Sequence, residues 1–181
     1  MSAPVRSAFL RTERLAFRPW TGMDLELAES LWSDAESTRL IGGPFTPEQC
    51  AARLRRELAA QRDHRFQYWP IFRLEDGAHV GICGLRPYKP SQRIHELGFQ
   101  LRREYWGRGL ATEAARAVIE HAFGPLGAAA LFAGHHPEND ASRRVLAKLG
   151  FEYTHDEFYA PTGLVHPSYA LSPERWHATR E

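Results

Sequence analysis

Arg102-Arg103-Glu104-Tyr105-Trp106-Gly107-Arg108-Gly109-Leu110-Ala111-Thr112-Glu113-Ala114 is the stretch on which the fold turns. A strand pattern ends before it, a Gly-x-Gly turn follows, and helical periodicity begins at Leu110. Glycines let a backbone approach an anion closely, and the first turn of a helix offers N–H groups without intrahelical partners at the positive end of its dipole. Arg102, Arg103 and Arg108 place positive charge beside that turn. The same glycines would also serve a tight strand-to-helix turn with no ligand, so the surroundings must decide between the two. A dinucleotide fingerprint needs an early parallel strand and a third glycine, where this chain has Thr112, and the lysine and hydroxyl of a P-loop are missing.

Upstream of the turn, three strand candidates, Phe66 to Leu74, His79 to Tyr88 and Ile94 to Leu101, form an antiparallel meander whose first turn is Glu75-Asp76-Gly77. Before them, Phe9 to Trp20 reads as one strand that Pro19 ends. Two helices follow it. The first, capped by Thr21 or Asp24 and ending at Ser33, repeats Leu25, Ala28, Leu31 and Trp32 at helical spacing. The second opens on Thr46-Pro47-Glu48-Gln49, with Thr46 as N-cap, Pro47 in the first position and Gln49 three residues on, and buries Ala51, Leu54 and Leu58.

Downstream, the helix Leu110 to Phe123 carries Ala111, Ala114, Val118 and Ala122 on one face. Ala128 to Ala133 reads as a short buried strand. Asn139 caps a further helix that Gly150 and Phe151 stop. Glu152 to Tyr159 and Val165 to Leu171 are the last strands. The order β-α-α-β-β-β-α-β-α-β-β predicts an α/β fold: a mixed sheet with helices on its faces. With no repeat and no low-complexity linker, residues 1–181 are expected to form a single domain.

Composition narrows the function classes. Twenty-three Lys+Arg against 22 Asp+Glu leave a formal charge of +1, which provides no general field for nucleic acid or anionic lipid. No apolar run approaches the roughly 20 residues of a membrane span, and Arg6, Arg11 and Glu13 interrupt any leader-like segment, so a cytoplasmic protein is expected. Cys50 and Cys83 sit in no metal or disulfide pattern and read as packing residues.

The turn and its flanks resemble the GNAT superfamily of N-acetyltransferases, whose central Q/R-x-x-G-x-G/A motif binds the pyrophosphate of CoA. Glu96-Leu97-Gly98-Phe99, the run from Tyr105 to Ala114, Asn139-Asp140-Ala141-Ser142-Arg143-Arg144-Val145-Leu146-Ala147-Lys148-Leu149-Gly150-Phe151, and Leu10-Arg11-Thr12-Glu13-Arg14-Leu15 look like the Rim-type branch that acetylates N-termini of ribosomal proteins. Glu104 departs from the motif's Gln or Arg and is expected to point away from phosphate.

The resemblance implies a GNAT-like sheet splayed between its fourth and fifth strands, with acetyl-CoA as co-substrate and an amine acceptor bound together in the opening. It places CoA against Leu101, Arg102, Arg103, Trp106, Gly107, Arg108, Gly109, Leu110, Ala111 and Thr112, with Asn139 on the pantetheine and Ser142 near the thiol. Glu96, on the fourth strand, is the candidate base, taking the amine proton directly or through water. Ser142 is the candidate donor to the leaving thiolate. A solvated strand carboxylate and a local helix cap are their plainer readings.

His95 points to the opposite face of a regular strand from Glu96, and His95 or His135 could compete as base. His135-His136 lacks a third ligand at supportive spacing, so no metal is expected. Tyr68, Trp69 and Phe72 read as core, with Tyr68 or Trp69 also able to touch an acceptor. The acceptor is expected to be a peptide N-terminal α-amine or a small-molecule amine such as an aminoglycoside, polyamine or amino acid. A non-catalytic acyl-CoA sensor is the reading from another class, and the chain is expected to be a monomer or homodimer.

Overall fold

The computed structural model describes residues 3–179. In chain order its first elements are α1 (Ala3–Arg6), β1 (Leu10–Arg11), β2 (Leu15–Phe17), α2 (Leu25–Trp32), α3 (Ala35–Thr38), α4 (Pro47–His64), β3 (Tyr68–Arg73) and β4 (His79–Lys89). They are followed by β5 (Ile94–Leu101), α5 (Leu110–Phe123), β6 (Ala130–Gly134), α6 (Asp140–Lys148), β7 (Glu152–Tyr159), β8 (Leu164–Leu171) and α7 (Pro173–Ala178). The strands form an eight-stranded mixed sheet in the order β1-β2-β3-β4-β5-β6-β8-β7. Neighbours run antiparallel except β5 and β6, which are parallel.

Local chemistry sets the helix ends. Thr46 accepts from the Gln49 N–H while the Gln49 side chain accepts from the Thr46 N–H, completing the capping box that opens α4. At the end of α6 the Phe151 N–H donates to the Leu146 carbonyl and the Gly150 N–H to that of Ala147, a Schellman arrangement that needs the left-handed φ of +85° at Gly150. Asp24 opens α2 without a side-chain cap, because its carboxylate is taken by Arg18 and by the Thr21 N–H.

Two departures from the sequence pattern have physical reasons. Phe9 to Trp20 is not one strand: the Thr12 N–H donates to the Leu15 carbonyl at 2.9 Å and folds the segment into the short pair β1 and β2. No Gly, Pro or Asn marks that turn; it is held from outside, by Glu113 of α5, as described below. Helices α1, α3 and α7 are additional to the predicted order and too short for apolar periodicity to register. The caps of α3 and α7 are nevertheless polar residues of the usual kind, Asp34 accepting from the Ser37 N–H and Ser172 from the Arg175 N–H.

Helices cover both faces. Val118, Ile119 and Ala122 of α5 and Leu146 of α6 pack with Trp69, Ile71, Cys83, Leu85 and Leu97 in the larger core. On the other face α2 and α4 enclose Trp32, Leu31, Cys50 and Leu54 against Ile82. Cys50 and Cys83 are buried free thiols, one in each core. No helix among the described residues is long and apolar enough to cross a membrane.

One charge lies inside the packing between α4 and the sheet. Glu57 is 1% exposed; its carboxylate accepts from the Arg86 guanidinium at 2.5 Å and from the Tyr68 N–H at 2.9 Å. Replacing Glu57 by Ala would strand both donors. The expected cost is about 2–3 kcal/mol in urea denaturation, less than for a fully enclosed pair because Arg86 keeps contact with water. A Glu57→Ala variant as stable as the parent would show that the pair contributes nothing.

Candidate active site

The site begins where β5 and β6 part. Their parallel register runs from Ile94↔Ala130 to Glu96↔Phe132 and stops there, although β5 continues to Leu101. The predicted fourth and fifth strands are these two, renumbered because the first predicted strand is two. On the other side β5 stays paired with β4 without interruption from Arg86↔Glu96 to Gly81↔Leu101. Because the Arg102 N–H donates to the Val80 carbonyl, ladder alternation turns Gln100, Gly98 and Glu96 toward β4. The main-chain groups of Phe99 and Leu101 therefore face the opening, beyond the last bridge to β6 at Glu96↔Phe132. The Trp106 indole takes the Leu101 carbonyl at 2.8 Å, which leaves N–H donors at Phe99 and Leu101.

Glu96 lines the resulting cavity of about 320 Å³, together with Tyr68, Arg86, Phe132, His135 and Ser142. Burial pushes its pKa up; Arg86 and a hydrogen bond from Tyr68 work against this without cancelling it. Burial also holds the Tyr68 phenol well above its usual range, so Tyr68 acts as a neutral donor. Gly98 makes this geometry possible: a Cβ there would lie 2.5 Å from the Tyr68 ring and hydroxyl. The Arg86 guanidinium lies 4.1 Å above the Tyr68 ring centroid, tied from behind to Glu57. His95 lies 4.6 Å from Phe66, which belongs to the larger core, and is not part of the cavity wall.

Asn139 and Ser142 open α6 on the far wall. Asn139 accepts from the Ser142 N–H at 3.0 Å, so its carbonyl oxygen caps the helix while its amide nitrogen stays available. His135 is buried, contacting Tyr169 at 3.2 Å and the His136 carbonyl at 2.8 Å. His136 lies edge-on to His166 at 5.6 Å, and both line the cavity. Burial, then the neighbouring His136 and His135, keep the His166 pKa low, which favours neutral imidazole. No cluster of three or more His, Cys, Asp or Glu arranged to hold a metal occurs among the described residues.

The Gly-x-Gly turn adopts left-handed φ at Gly107 (+74°) and Gly109 (+75°), and Gly109 starts α5 with no side-chain cap. The first intrahelical bond of α5 runs from the Glu113 N–H to Gly109, so the N–H groups from Gly109 to Thr112 have no intrahelical partner, a fit for an anionic phosphate. Glu113 secures the turn by accepting from the Thr12 hydroxyl at 2.5 Å and from Arg14 at 2.9 Å (N–H) and 2.6 Å (Nε); Arg14 also reaches the Arg108 carbonyl at 3.1 Å.

The arginines around the turn separate. Arg102 donates to Ser30 and contacts His79, and Arg103 pairs with Glu36 at 2.8 Å, so both side chains are engaged with the segment from α2 to α3. Arg108 is exposed, its guanidinium 5.7 Å from the Tyr105 ring centroid. Glu104 is also exposed. Trp69 and Phe72 are core, whereas Tyr68 reaches the cavity. Sequence patterns single out neither Arg86 nor Glu57, because their link to Glu96 runs through cross-strand register and a helix packed from elsewhere.

Residues 14–152 match the family model described as the acetyltransferase (GNAT) domain. The chain is 30% identical over 145 residues to the uncharacterized N-acetyltransferase YoaA of Bacillus subtilis, covering 79% of this chain and 82% of that protein. It is 30% identical over 183 residues to the FsC-acetyl coenzyme A-N(2)-transacetylase of Aspergillus fumigatus, covering 95% and 76%. The crystal structure of a GNAT-family acetyltransferase from Bacillus anthracis aligns with a TM-score of 0.79 at 25% identity, over 91% of this chain and 98% of that one.

The raised pKa of Glu96 has a sign that can be tested. A carboxyl that holds its proton more tightly when folded contributes stability below its unfolded pKa of about 4.3 and loses it as pH rises through the folded value. Glu96→Gln, which never ionises, is expected to melt at a higher temperature than the parent at pH 7–8, with the difference vanishing near pH 4. Thermal melts across that range check it; a variant less stable at pH 8 than at pH 4, relative to the parent, would contradict the assigned direction.

Proposed function

The chain belongs to the acetyltransferase (GNAT) family and is an N-acetyltransferase, and on that premise we propose direct transfer of the acetyl group from acetyl-CoA to a primary amine bound between β5 and β6. The observation that carries this reading is the position of Glu96, a carboxylate of raised pKa located where the strands part and beside main-chain donors turned into the gap. Bound acetyl-CoA supplies the activated thioester. The N–H groups from Gly109 to Thr112, which have no intrahelical partner, hold its pyrophosphate with Arg108, and the Asn139 amide holds the pantetheine.

Glu96 accepts a proton from the acceptor amine, directly or through one water. The Phe99 and Leu101 N–H groups stabilise the acyl oxygen as charge develops on it. The Ser142 hydroxyl, in the first turn of α6, donates to the departing sulfur with the helix dipole behind it. An α-amine, with a reference pKa of about 7.7–8, asks less of this base than a lysine at about 10.4. That difference favours a peptide N-terminus as acceptor, as do the segments that resemble ribosomal-protein acetyltransferases. The second reading is a small-molecule amine, because the cavity is small and walled by side chains.

Isothermal titration with acetyl-CoA, followed by a free-thiol assay against pooled peptides and small amines, tests the proposal. Binding with thiol release supports it, and the active pool separates the two acceptor classes. Binding without release from either pool would favour a sensor and count against transfer. Glu96→Gln is expected to lower kcat by about 10²-fold if the carboxylate is the general base; a loss of less than a few-fold would remove Glu96 from the mechanism. Gly109→Val, which forces a branched residue into left-handed φ at the phosphate turn, is expected to weaken CoA binding at least about tenfold while the circular dichroism spectrum is retained. Unchanged affinity would refute the placement of the phosphate site.

A further inference from the structure

Arg53 of α4 lines the same cavity as Glu96. Its guanidinium stands 3.8 Å from the Phe45 ring centroid and 5.7 Å from that of Trp32, and among the described residues it forms no hydrogen bond and no ion pair. Two of the other three formal charges on the cavity wall have polar partners. Arg86 is bound by Glu57 at 2.5 Å, and Glu157 accepts from the Tyr88 hydroxyl at 3.1 Å. Burial, then the nearby charges of Arg86 and Arg56, pushes the Arg53 pKa below the usual arginine value, and the more distant influence of Tyr159 and Glu57 does not offset them.

Leaving such a charge unpaired is costly, and a ligand that brings the anion relieves the cost. The aromatic shelf offers the flat face of the guanidinium a partner and leaves its edge for a planar, bidentate acceptor. The cavity is therefore polarised: an unmatched cation at Arg53, and carboxylates at Glu96 and Glu157.

We propose that Arg53 binds a carboxylate carried by the acceptor, so that the enzyme selects amines bearing an anionic group and directs their amine to Glu96. This rests on amine acetylation at Glu96 and adds to it the class of acceptor. The carboxylate of a small amino acid and that of an acidic peptide residue share this chemistry, and the test separates them.

Two matched pairs serve as probes: 4-aminobutyrate against 4-aminobutanamide, and a free-amino peptide with Glu at its second position against the same peptide with Gln. Calorimetric binding to the CoA-saturated protein and thiol release from acetyl-CoA are measured for each. The acid of at least one pair is expected to bind and react about tenfold or more better than its amide. Arg53→Gln is expected to erase that preference mainly through KM, and Arg53→Lys to restore part of it. Arg53→Met, which keeps an apolar stem over Phe45, is the second variant if Arg53→Gln does not fold.

No preference in either pair, or one that survives loss of the guanidinium, overturns the inference. Acid-selective binding that depends on Arg53 but brings no thiol release supports the anion site and counts against the transfer reading. Equal thiol release from acid and amide does the reverse.

Discussion

The parallel ladder between β5 and β6 ends at Glu96↔Phe132, while the antiparallel ladder between β5 and β4 continues five residues further to Leu101. Half of the main-chain groups on that stretch are therefore satisfied by β4, and the alternate half faces a gap. A backbone with one secured edge can carry an open edge without losing its strand geometry, and open donors are positioned donors. The cavity, the carboxylate of Glu96 and the start of α6 are all arranged around this gap.

Behind it, a chain of polar contacts runs from α4 through three strands. Glu57 holds Arg86 and the Tyr68 main chain, Arg86 lies over the Tyr68 ring, and Tyr68 reaches Glu96 across the bare position at Gly98. Each member limits the rotamers of the next, so the orientation of Glu96 is inherited from a helix distant in sequence. Burial and the opposing charge act on Glu96 together, and burial wins. A carboxyl tuned in that direction takes up a proton more readily than a solvated one.

The Gly-x-Gly turn is anchored in the same indirect way. Glu113 does not cap its own helix; it reaches to Thr12 and Arg14 and so ties β1 and β2 to the first turn of α5. The donors of that turn stay free because the residue at the N-cap is Gly109, which has no side chain to occupy them. The arginines, which look alike along the sequence, are separated by their surroundings: Arg102 and Arg103 are drawn to α2 and α3, and Arg108 stays exposed at the turn.

Much was legible in the residues alone. The capping box at Thr46, the stop at Gly150-Phe151, the left-handed glycines before Leu110 and the meander between residues 66 and 101 are local features, set by interactions a few residues apart that a linear reading can count. The splitting of the first strand was not legible, because the groups that bend it come from α5, about a hundred residues away. Nor was the grouping of Glu57, Tyr68, Arg86 and Glu96, or the isolation of Arg53. The sequence by itself determined the order of the longer elements, the Gly-x-Gly turn before α5 and the family; the tertiary structure alone decided which charges are paired, which are left unmatched and how Glu96 is tuned, because pairing and burial depend on register and packing between segments that the chain keeps far apart.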